Sequence, residues 1–239
     1  MTLRINVWSS PRNLSTALMY SWRQRVDTTV VDEPLYAYYL SETGKVHPAN
    51  DEVIASQDDD GEAVVRDVLL ADYDTPVVFI KHMAKQLLDL DRGFMAAGTN
   101  VLLTRDPIEM LSSLQVQIPD LTLEDTGFTE LISILETALA DGNEPIVIDS
   151  TTLLKSPRDV LTQMCERVGL EFDEVMLSWP SGPKPEDGVW APHWYHRVWE
   201  STGWEPFVPK QIELNEPAQA VLPEAQDAYD RLSEFRIDI

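Results

Sequence analysis

The segment that most constrains the fold is the N-terminal one, because it reads as a strand, a short polar turn and a helix. Ile5 and Val7 favour a β-strand, and residues 9–11 end it. Apolar residues then recur at helical spacing over residues 14–22, so one face of this helix is expected to be buried. We expect Asn13 to cap the helix N-terminus. A strand that leads directly into a helix predicts an α/β unit with a ligand site above the strand.

The turn between this strand and helix has the composition of an anion-binding site. The first N–H groups of a helix have no partner inside it, and the positive end of the helix dipole lies there too. Anions therefore bind at such positions. Arg12 can hold a phosphate through two N–H groups, and the hydroxyls of Ser15 and Thr16 can donate further hydrogen bonds. The alternative is that the polar residues only cap the helix and that Arg12 is solvated.

The turn differs from the phosphate loop of ordinary ATPases and GTPases. That loop needs two glycines at a fixed spacing, followed by a lysine and a serine or threonine. This chain has no glycine before Gly44, and the cation of its turn is Arg12. An ordinary ATPase or GTPase is therefore disfavoured.

The amino-acid composition restricts which partners the protein can bind and indicates the compartment in which it works. The 239 residues include 18 Lys and Arg against 41 Asp and Glu, which gives a formal net charge of −23. Such a surface repels the phosphates of nucleic acids, so nucleic-acid binding is disfavoured. The single cysteine, Cys165, excludes an intrachain disulfide and fits a reducing compartment. Neither a signal segment nor an apolar run near 18 residues is found, and we expect a cytoplasmic protein that does not bind membranes.

The rest of the chain continues the alternation of strands and helices. Residues 28–31, 76–82 and 100–104 read as strands, and a helical pattern runs from 83 to 90. Residues 41–60 are polar and are expected to form a loop. The alternation predicts an α/β protein with a mostly parallel sheet and helices on both of its faces.

Four polar side chains stand where predicted strands end. These are Arg12, Glu33, His82 and Arg105. Because ligands of open α/β sheets bind beyond the carboxyl ends of the strands, we expect these side chains to converge on one site. The alternatives are that Glu33 is an ordinary turn residue and that His82 is a structural residue of the core.

Three segments resemble the sulfotransferases that use 3′-phosphoadenosine 5′-phosphosulfate (PAPS). Residues 11–16, Pro-Arg-Asn-Leu-Ser-Thr, resemble the 5′-phosphosulfate loop of that family, with Leu14 where the family usually has glycine. Residues 105–113 match its 3′-phosphate motif, which is a strand-ending arginine, Asp or Asn, Pro, and a serine eight residues after the arginine. Residues 146–170 are similar to a third unit of the family, a strand, a loop with a residue-Pro step and a helix that ends in Gly-Leu.

The resemblance implies a sulfotransferase with a P-loop-type fold. It implies one domain over residues 1–239, with an α/β core over 1–170 and an aromatic-rich loop and helix over 171–239. PAPS is then the donor and adenosine 3′,5′-bisphosphate (PAP) the product, and no metal is needed. The acidic surface disfavours polyanionic acceptors, so we expect a small-molecule acceptor.

The resemblance also implies roles for individual residues. The residues expected to bind the donor are Arg12, Asn13, Leu14, Ser15 and Thr16 at its 5′-phosphosulfate, and Arg105 and Ser113 at its 3′-phosphate. Arg12 is also expected to stabilise the charge of the reacting group.

A base must remove the proton of the acceptor, and the sequence offers two. His82 matches the histidine of cytosolic sulfotransferases. Glu33 matches the glutamate that tyrosyl-protein and some bacterial sulfotransferases carry after the second strand. The Pro-Arg form of the loop favours Glu33, but both residues remain candidates.

Two other functions and one further site stay open at this point. The chain is alternatively a nucleotide or small-molecule kinase with an atypical phosphate loop, or a catalytically inactive module that keeps the fold. Six aromatic residues crowd residues 179–204. We expect them to form a packed core, and the alternative is an aromatic box for a cationic acceptor.

Overall fold

The structure is a computed structural model that describes residues 2–209, 211–237 and 239. It contains one five-stranded sheet with the order β2-β3-β1-β4-β5, in which every pair of neighbours is parallel. The strands are β1 (Leu3–Ser9), β2 (Thr28–Asp32), β3 (Val77–Met83), β4 (Thr99–Thr104) and β5 (Ile146–Asp149). All five carboxyl ends therefore meet at one edge of the sheet, as the sequence predicts.

Helices connect the strands and form the C-terminal region. The α-helices are α1 (Ser15–Arg23), α2 (Tyr36–Thr43), α3 (Asn50–Ser56), α4 (Gly61–Val64), α5 (Pro107–Leu114), α6 (Leu123–Thr126), α7 (Phe128–Ala140), α8 (Ser150–Lys155), α9 (Pro157–Arg167), α10 (Ala191–Trp194), α11 (His196–Glu200) and α12 (Glu216–Ser233). A π-helical segment spans Val65–Leu69, and 3₁₀ turns span Ala84–Gln86, Arg92–Ala97 and Glu174–Leu177. Within the described residues, no helix combines the length and the apolarity needed to cross a bilayer.

The sheet is buried on both faces, which explains its apolar strands. On one face Trp8, Ile80 and Leu102 pack in a cluster that includes residues of α5, α7 and α12. On the other face Val7 and Phe79 pack in a cluster that includes residues of α1 and α9. The predicted α/β architecture, with helices on both faces of a parallel sheet, is confirmed.

The turn after β1 differs from the expected helix cap. Leu14 occupies the N-cap position of α1 at φ 67°, and no side chain caps the helix. The prediction that Asn13 caps α1 was wrong, because its side-chain amide donates instead to the carbonyl of Leu103 at 3.1 Å. Arg12 also has a left-handed backbone, with φ 65°. Two such residues cost free energy, of the order of 1–2 kcal/mol each, and this marks the turn as specialised.

Two other local predictions were wrong. The polar stretch 41–60 contains α3, whose acidic first turn suits the helix dipole and whose Val53 is buried. The expected helix over 83–90 is only one 3₁₀ turn, since Leu88 has a left-handed backbone with φ 46°. Tertiary contacts outweigh local periodicity in both places.

Ser150, the first residue of α8, ties the turn after β1 to the end of β4. Its Oγ lies 2.7 Å from the carbonyl oxygen of Asn13 and 2.8 Å from that of Thr104. The residue is fully buried, so one hydroxyl proton serves two carbonyls that water does not reach. The phosphate-loop-like turn is thus held to the sheet from below by one side chain.

We expect the variant Ser150→Ala to lower the free energy of unfolding by about 1–3 kcal/mol, because it leaves two buried carbonyls without a donor. Ser112→Ala is the control, since the Ser112 hydroxyl donates to the Glu109 carbonyl of its own helix. That change is expected to stay within about 0.5 kcal/mol. Urea unfolding of both variants makes the measurement, and equal losses would contradict the role of Ser150.

Candidate functional site

The candidate site lies at the carboxyl edge of the sheet, where the turn after β1 meets the start of α5. Asp106 caps α5 through the N–H groups of its first turn, and Pro107 is its first residue. The helix then brings Ser113 to the turn, and the Nε of Arg12 donates to its Oγ at 3.0 Å. The Nη1 of Arg105 donates to the carbonyl of Arg12 at 2.9 Å. The structure therefore brings Arg12, Arg105 and Ser113 together.

Positive charge is concentrated and incompletely neutralised at this point. Arg105 pairs with Glu109 at 3.1 Å, but no ion pair joins Arg12 to a carboxylate among the described residues. Burial lowers the pKa of Arg12, and the positive charges of Arg105 and Arg197 lower it further. An anion bound here would relieve that repulsion, which is notable in a chain with an excess of 23 acidic residues over basic ones.

The N-terminus of α1 adds backbone donors to the same place. Ser15 is buried, Thr16 follows it, and the first N–H groups of the helix have no partner inside it. The hydroxyl of Ser10 is buried and has no hydrogen-bond partner among the described residues. Gly127, between α6 and α7, covers the turn, since a Cβ there would lie 3.8 Å from the Ser10 hydroxyl. The turn thus offers a guanidinium, hydroxyls and N–H groups to an anion.

Glu33 lies at the end of β2 and is fixed by two donors. The Nζ of Lys81 lies 2.6 Å from one carboxylate oxygen, and the amide of Gln86 donates to the other at 2.7 Å. The Glu33 backbone is left-handed, with φ 42°, and its N–H donates to the carbonyl of Lys81. Each carboxylate oxygen keeps a lone pair for another donor. The side chain is therefore oriented and still able to accept a hydrogen bond.

A buried network continues from Glu33 to the aromatic segment. Lys81 also pairs with Asp32 at 2.8 Å, and the Tyr195 hydroxyl donates to Asp32 at 2.7 Å. Although burial favours the neutral amine, the negative charges of Asp32 and Glu33 hold the pKa of Lys81 well above its ordinary value. The Nε1 of Trp190 donates to the Tyr195 hydroxyl at 3.1 Å. The network fastens residues 190–195 to the second strand.

Sequence reasoning did not assign Lys81, Gln86 or Tyr195 to the site. The available signal was a lysine inside an otherwise apolar, buried strand, because such a charge needs a buried partner. The partner itself depends on the register that sets Asp32 beside Lys81, which the pattern of one strand does not reveal.

The aromatic residues of segment 179–204 pack into the hydrophobic clusters of the protein. Trp179 and Trp190 are buried, and Trp179 packs edge-on against Trp204 with ring centroids 5.4 Å apart. The cation that faces the Tyr195 ring, at 5.0 Å, is the chain's own Lys81. The structure therefore favours the packed core over an aromatic box.

The second candidate base, His82, is placed in the core. It is 1% exposed and stacks on Trp8 with ring centroids 4.0 Å apart. Its Nε2 lies 3.4 Å from the Oδ1 of Asn6, and its Nδ1 is buried without a partner among the described residues. Burial, reinforced by the charge of Lys81, lowers its pKa to about 3. The structure therefore does not bring the His82 imidazole into the group formed by Arg12, Arg105 and Ser113.

An open cleft elsewhere on the molecule is unsuited to anions. It has a volume of about 550 Å³ and lies beside α2. Its lining includes Glu42, Asp59, Asp60, Glu62 and Asp89. These carboxylates would repel a phosphate, so the turn after β1 is the better anion site.

The low pKa of His82 makes stability depend on pH. The unfolded chain takes up this proton near pH 6.5 and the folded chain only near pH 3, so the stabilisation present above pH 6.5 is lost as the pH falls. From pH 7 to pH 5 we expect the wild type to lose roughly 2 kcal/mol more free energy of unfolding than His82→Phe, which cannot titrate. Urea unfolding at both pH values tests this expectation, and parallel losses would show that His82 is protonated in the folded protein.

Comparisons with known proteins identify the family. The family model described as a sulfotransferase domain matches residues 3–226. Branched-chain-amino-acid aminotransferase-like protein 1 of Arabidopsis thaliana is 44% identical over 200 residues, which cover 83% of this chain. The chain spans only 36% of the length of that relative.

Two solved structures share the fold at low identity. The sulfotransferase domain of the Synechococcus PCC 7002 olefin synthase has a TM-score of 0.55 and 17% identity, covering 93% of this chain and 94% of that one. A sulfotransferase of Alicyclobacillus acidocaldarius has a TM-score of 0.50 and 12% identity, covering 100% of this chain and 98% of that one. With the match over residues 3–226, the chain belongs to the sulfotransferase-domain family.

Proposed function

We propose that this protein transfers a sulfuryl group from PAPS to the hydroxyl, or the amine, of a small-molecule acceptor. The acceptor oxygen forms a bond to sulfur while the bond from sulfur to the bridging oxygen of the donor breaks. The proton of the hydroxyl passes to a base, and the products are a sulfate ester and PAP; an amine acceptor would form a nitrogen–sulfur bond, lose an N–H proton in the same way and give a sulfamate. The reaction needs an anion cradle for the donor, a base near the acceptor and no change of oxidation state.

The observation that carries the proposal is the unneutralised Arg12 at an uncapped helix N-terminus. Its guanidinium is held by Ser113 and flanked by Arg105, with no carboxylate in ion-pair contact among the described residues. Arg12, the helix N–H groups and the hydroxyls of Ser15 and Thr16 would hold the 5′-phosphosulfate. Such fixed donors also stabilise charge that develops on the bridging oxygen as the bond to sulfur breaks.

Arg105 and Ser113 would hold the 3′-phosphate of the donor. The Nε of Arg105 is used by Glu109 and its Nη1 by the Arg12 carbonyl, so its Nη2 remains to donate to an anion. The Ser113 oxygen accepts from Arg12, which leaves its hydroxyl proton to donate. Both residues thus keep a donor while they fix the turn, as recognition of a second phosphate requires.

Glu33 is the proposed base. It ends a strand at the same edge as the anion cradle, and Lys81 and Gln86 fix its carboxylate. His82 is a weaker candidate, because its imidazole is enclosed by the core and stacked on Trp8.

The first test measures the binding of PAP by calorimetry. We expect Arg12→Met to weaken binding about 10- to 100-fold, which corresponds to the loss of about 1.5–3 kcal/mol of charged hydrogen bonding. Arg92→Met is the matched control, since Arg92 also donates to a serine, Ser133 at 2.7 Å, but lies away from the turn. We expect this control to bind like the wild type. Equal affinities of all three proteins would show that the turn does not bind the donor.

The second test measures turnover to decide which of Glu33 and His82 is the base. The assay follows labelled sulfur from PAPS into a panel of small alcohols and amines. We expect Glu33→Gln to lower kcat about 10²- to 10⁴-fold with unchanged affinity for PAP, because the loss falls on proton transfer alone. His82→Ala is expected to retain most of the turnover of its folded fraction. The opposite pattern would make His82 the base, and full turnover in both variants would refute the mechanism.

A further inference from the structure

A lysine beside the proposed base has no hydrogen-bond or ion-pair partner among the described residues. Lys85 lies in the 3₁₀ turn that directly follows β3, and the next residue, Gln86, is the one that donates to Glu33. Its side chain is half-buried, and its Nζ lies 5.6 Å from the centre of the Tyr39 ring. No hydrogen bond or ion pair to a described residue engages the ammonium. It is therefore a cation held next to the acceptor side of the site.

The charged neighbours of Lys85 in the loop after α2 and in α6 already have other partners. Lys45 pairs with Glu124 at 2.6 Å. Asp125 accepts from both the N–H and the hydroxyl of Thr122 at 2.9 Å, which closes the capping box of α6. These groups act on Lys85 only through space, and none of them satisfies its N–H donors.

Glu33, the acidic neighbour of Lys85 at the end of β2, also has hydrogen-bond partners of its own. Glu33 accepts from Lys81 and from Gln86, one bond on each oxygen. Burial lowers the pKa of Lys85, and the charge of Lys45 lowers it further, against the opposing effect of Asp125 and Glu33. A half-buried ammonium without a direct acceptor carries an unmet desolvation cost, which a ligand anion in contact would offset.

Tyr39 supplies a second unmet donor in the same place. It is 1% exposed, and its hydroxyl is buried without a hydrogen-bond partner among the described residues. The same ring also faces the Nζ of Lys45, at 6.0 Å from its centre. Lys85 thus faces the ring whose hydroxyl is unused, and an ammonium and a phenol O–H can each donate to one oxygen of a carboxylate.

We infer that Lys85 and Tyr39 form a carboxylate-binding subsite, so that the acceptor is a small hydroxy acid or amino acid. This inference rests on the proposed sulfuryl transfer. Glu33 would face the hydroxyl or amine of the acceptor, while Lys85 would hold its carboxylate. The negative charge of Asp125 and the net negative charge of the Asp32–Lys81–Glu33 cluster disfavour a dianion such as a phosphate. A single negative charge in contact with Lys85 suits the subsite best.

The test compares acceptors that carry a free carboxylate with the same acceptors as uncharged methyl esters. Glycolate, 3-hydroxybutyrate and 4-hydroxybutyrate are each paired with their methyl esters, with labelled PAPS as donor. For at least one pair we expect the wild type to prefer the acid by about tenfold or more in kcat/KM. The variant Lys85→Met is expected to lose that preference through a higher KM, with its affinity for PAP unchanged. Lys155→Met is the control, since Lys155 also lies over an aromatic ring, that of Phe207, away from the site.

A binding measurement tests the carboxylate subsite without relying on turnover. Thermal unfolding of the PAP-loaded protein is followed with each acid and each ester. We expect at least one acid to raise the Tm in the wild type and in Lys155→Met, but not in Lys85→Met. Equal effects of acid and ester, or an acid effect that survives in Lys85→Met, would overturn the subsite. A wild type that does not bind PAP would instead refute the proposed function.

Discussion

The positive charge of Arg12 is the constraint around which this edge of the molecule is built. The turn that presents it contains two left-handed residues, is tied to β4 by Asn13 and is supported from below by Ser150. Ser113 fixes the guanidinium from α5, and no carboxylate among the described residues pairs with it. We propose that a fold that bears this strain and leaves this charge unpaired, in an acidic chain, is organised to receive an anion.

A second charged group, around Lys81, connects the site to the C-terminal region. Its ammonium joins Asp32 and Glu33 at the end of β2, and Tyr195 reaches the same carboxylate of Asp32 from the aromatic segment. A buried charge that loses one partner costs several kcal/mol, so these groups hold each other in place. The aromatic segment therefore contributes to the orientation of Glu33, although it lies far from that residue in the sequence.

Much of the fold was predictable from the sequence, because apolar runs that end in turns specify buried parallel strands. That Arg12, Glu33 and Arg105 lie just beyond the carboxyl ends of strands was predictable for the same reason. The cap of α1 was not, since Asn13 finds a better partner across the sheet than in its own helix. The role of Lys81 was hidden as well, because it depends on the register between β2 and β3. Long-range pairing of this kind leaves no periodic signal in one chain.

The most direct measurement of the central claim is a calorimetric titration of the wild-type protein with PAP in the presence of EDTA, beside ATP with magnesium. The sulfotransferase account predicts micromolar binding of PAP without metal, since Arg12, Arg105 and the helix N–H groups supply the charge that a metal would otherwise provide. It also predicts weaker binding of ATP, which lacks the 3′-phosphate. No binding of PAP, or a preference for ATP with magnesium, would contradict the account and favour a kinase.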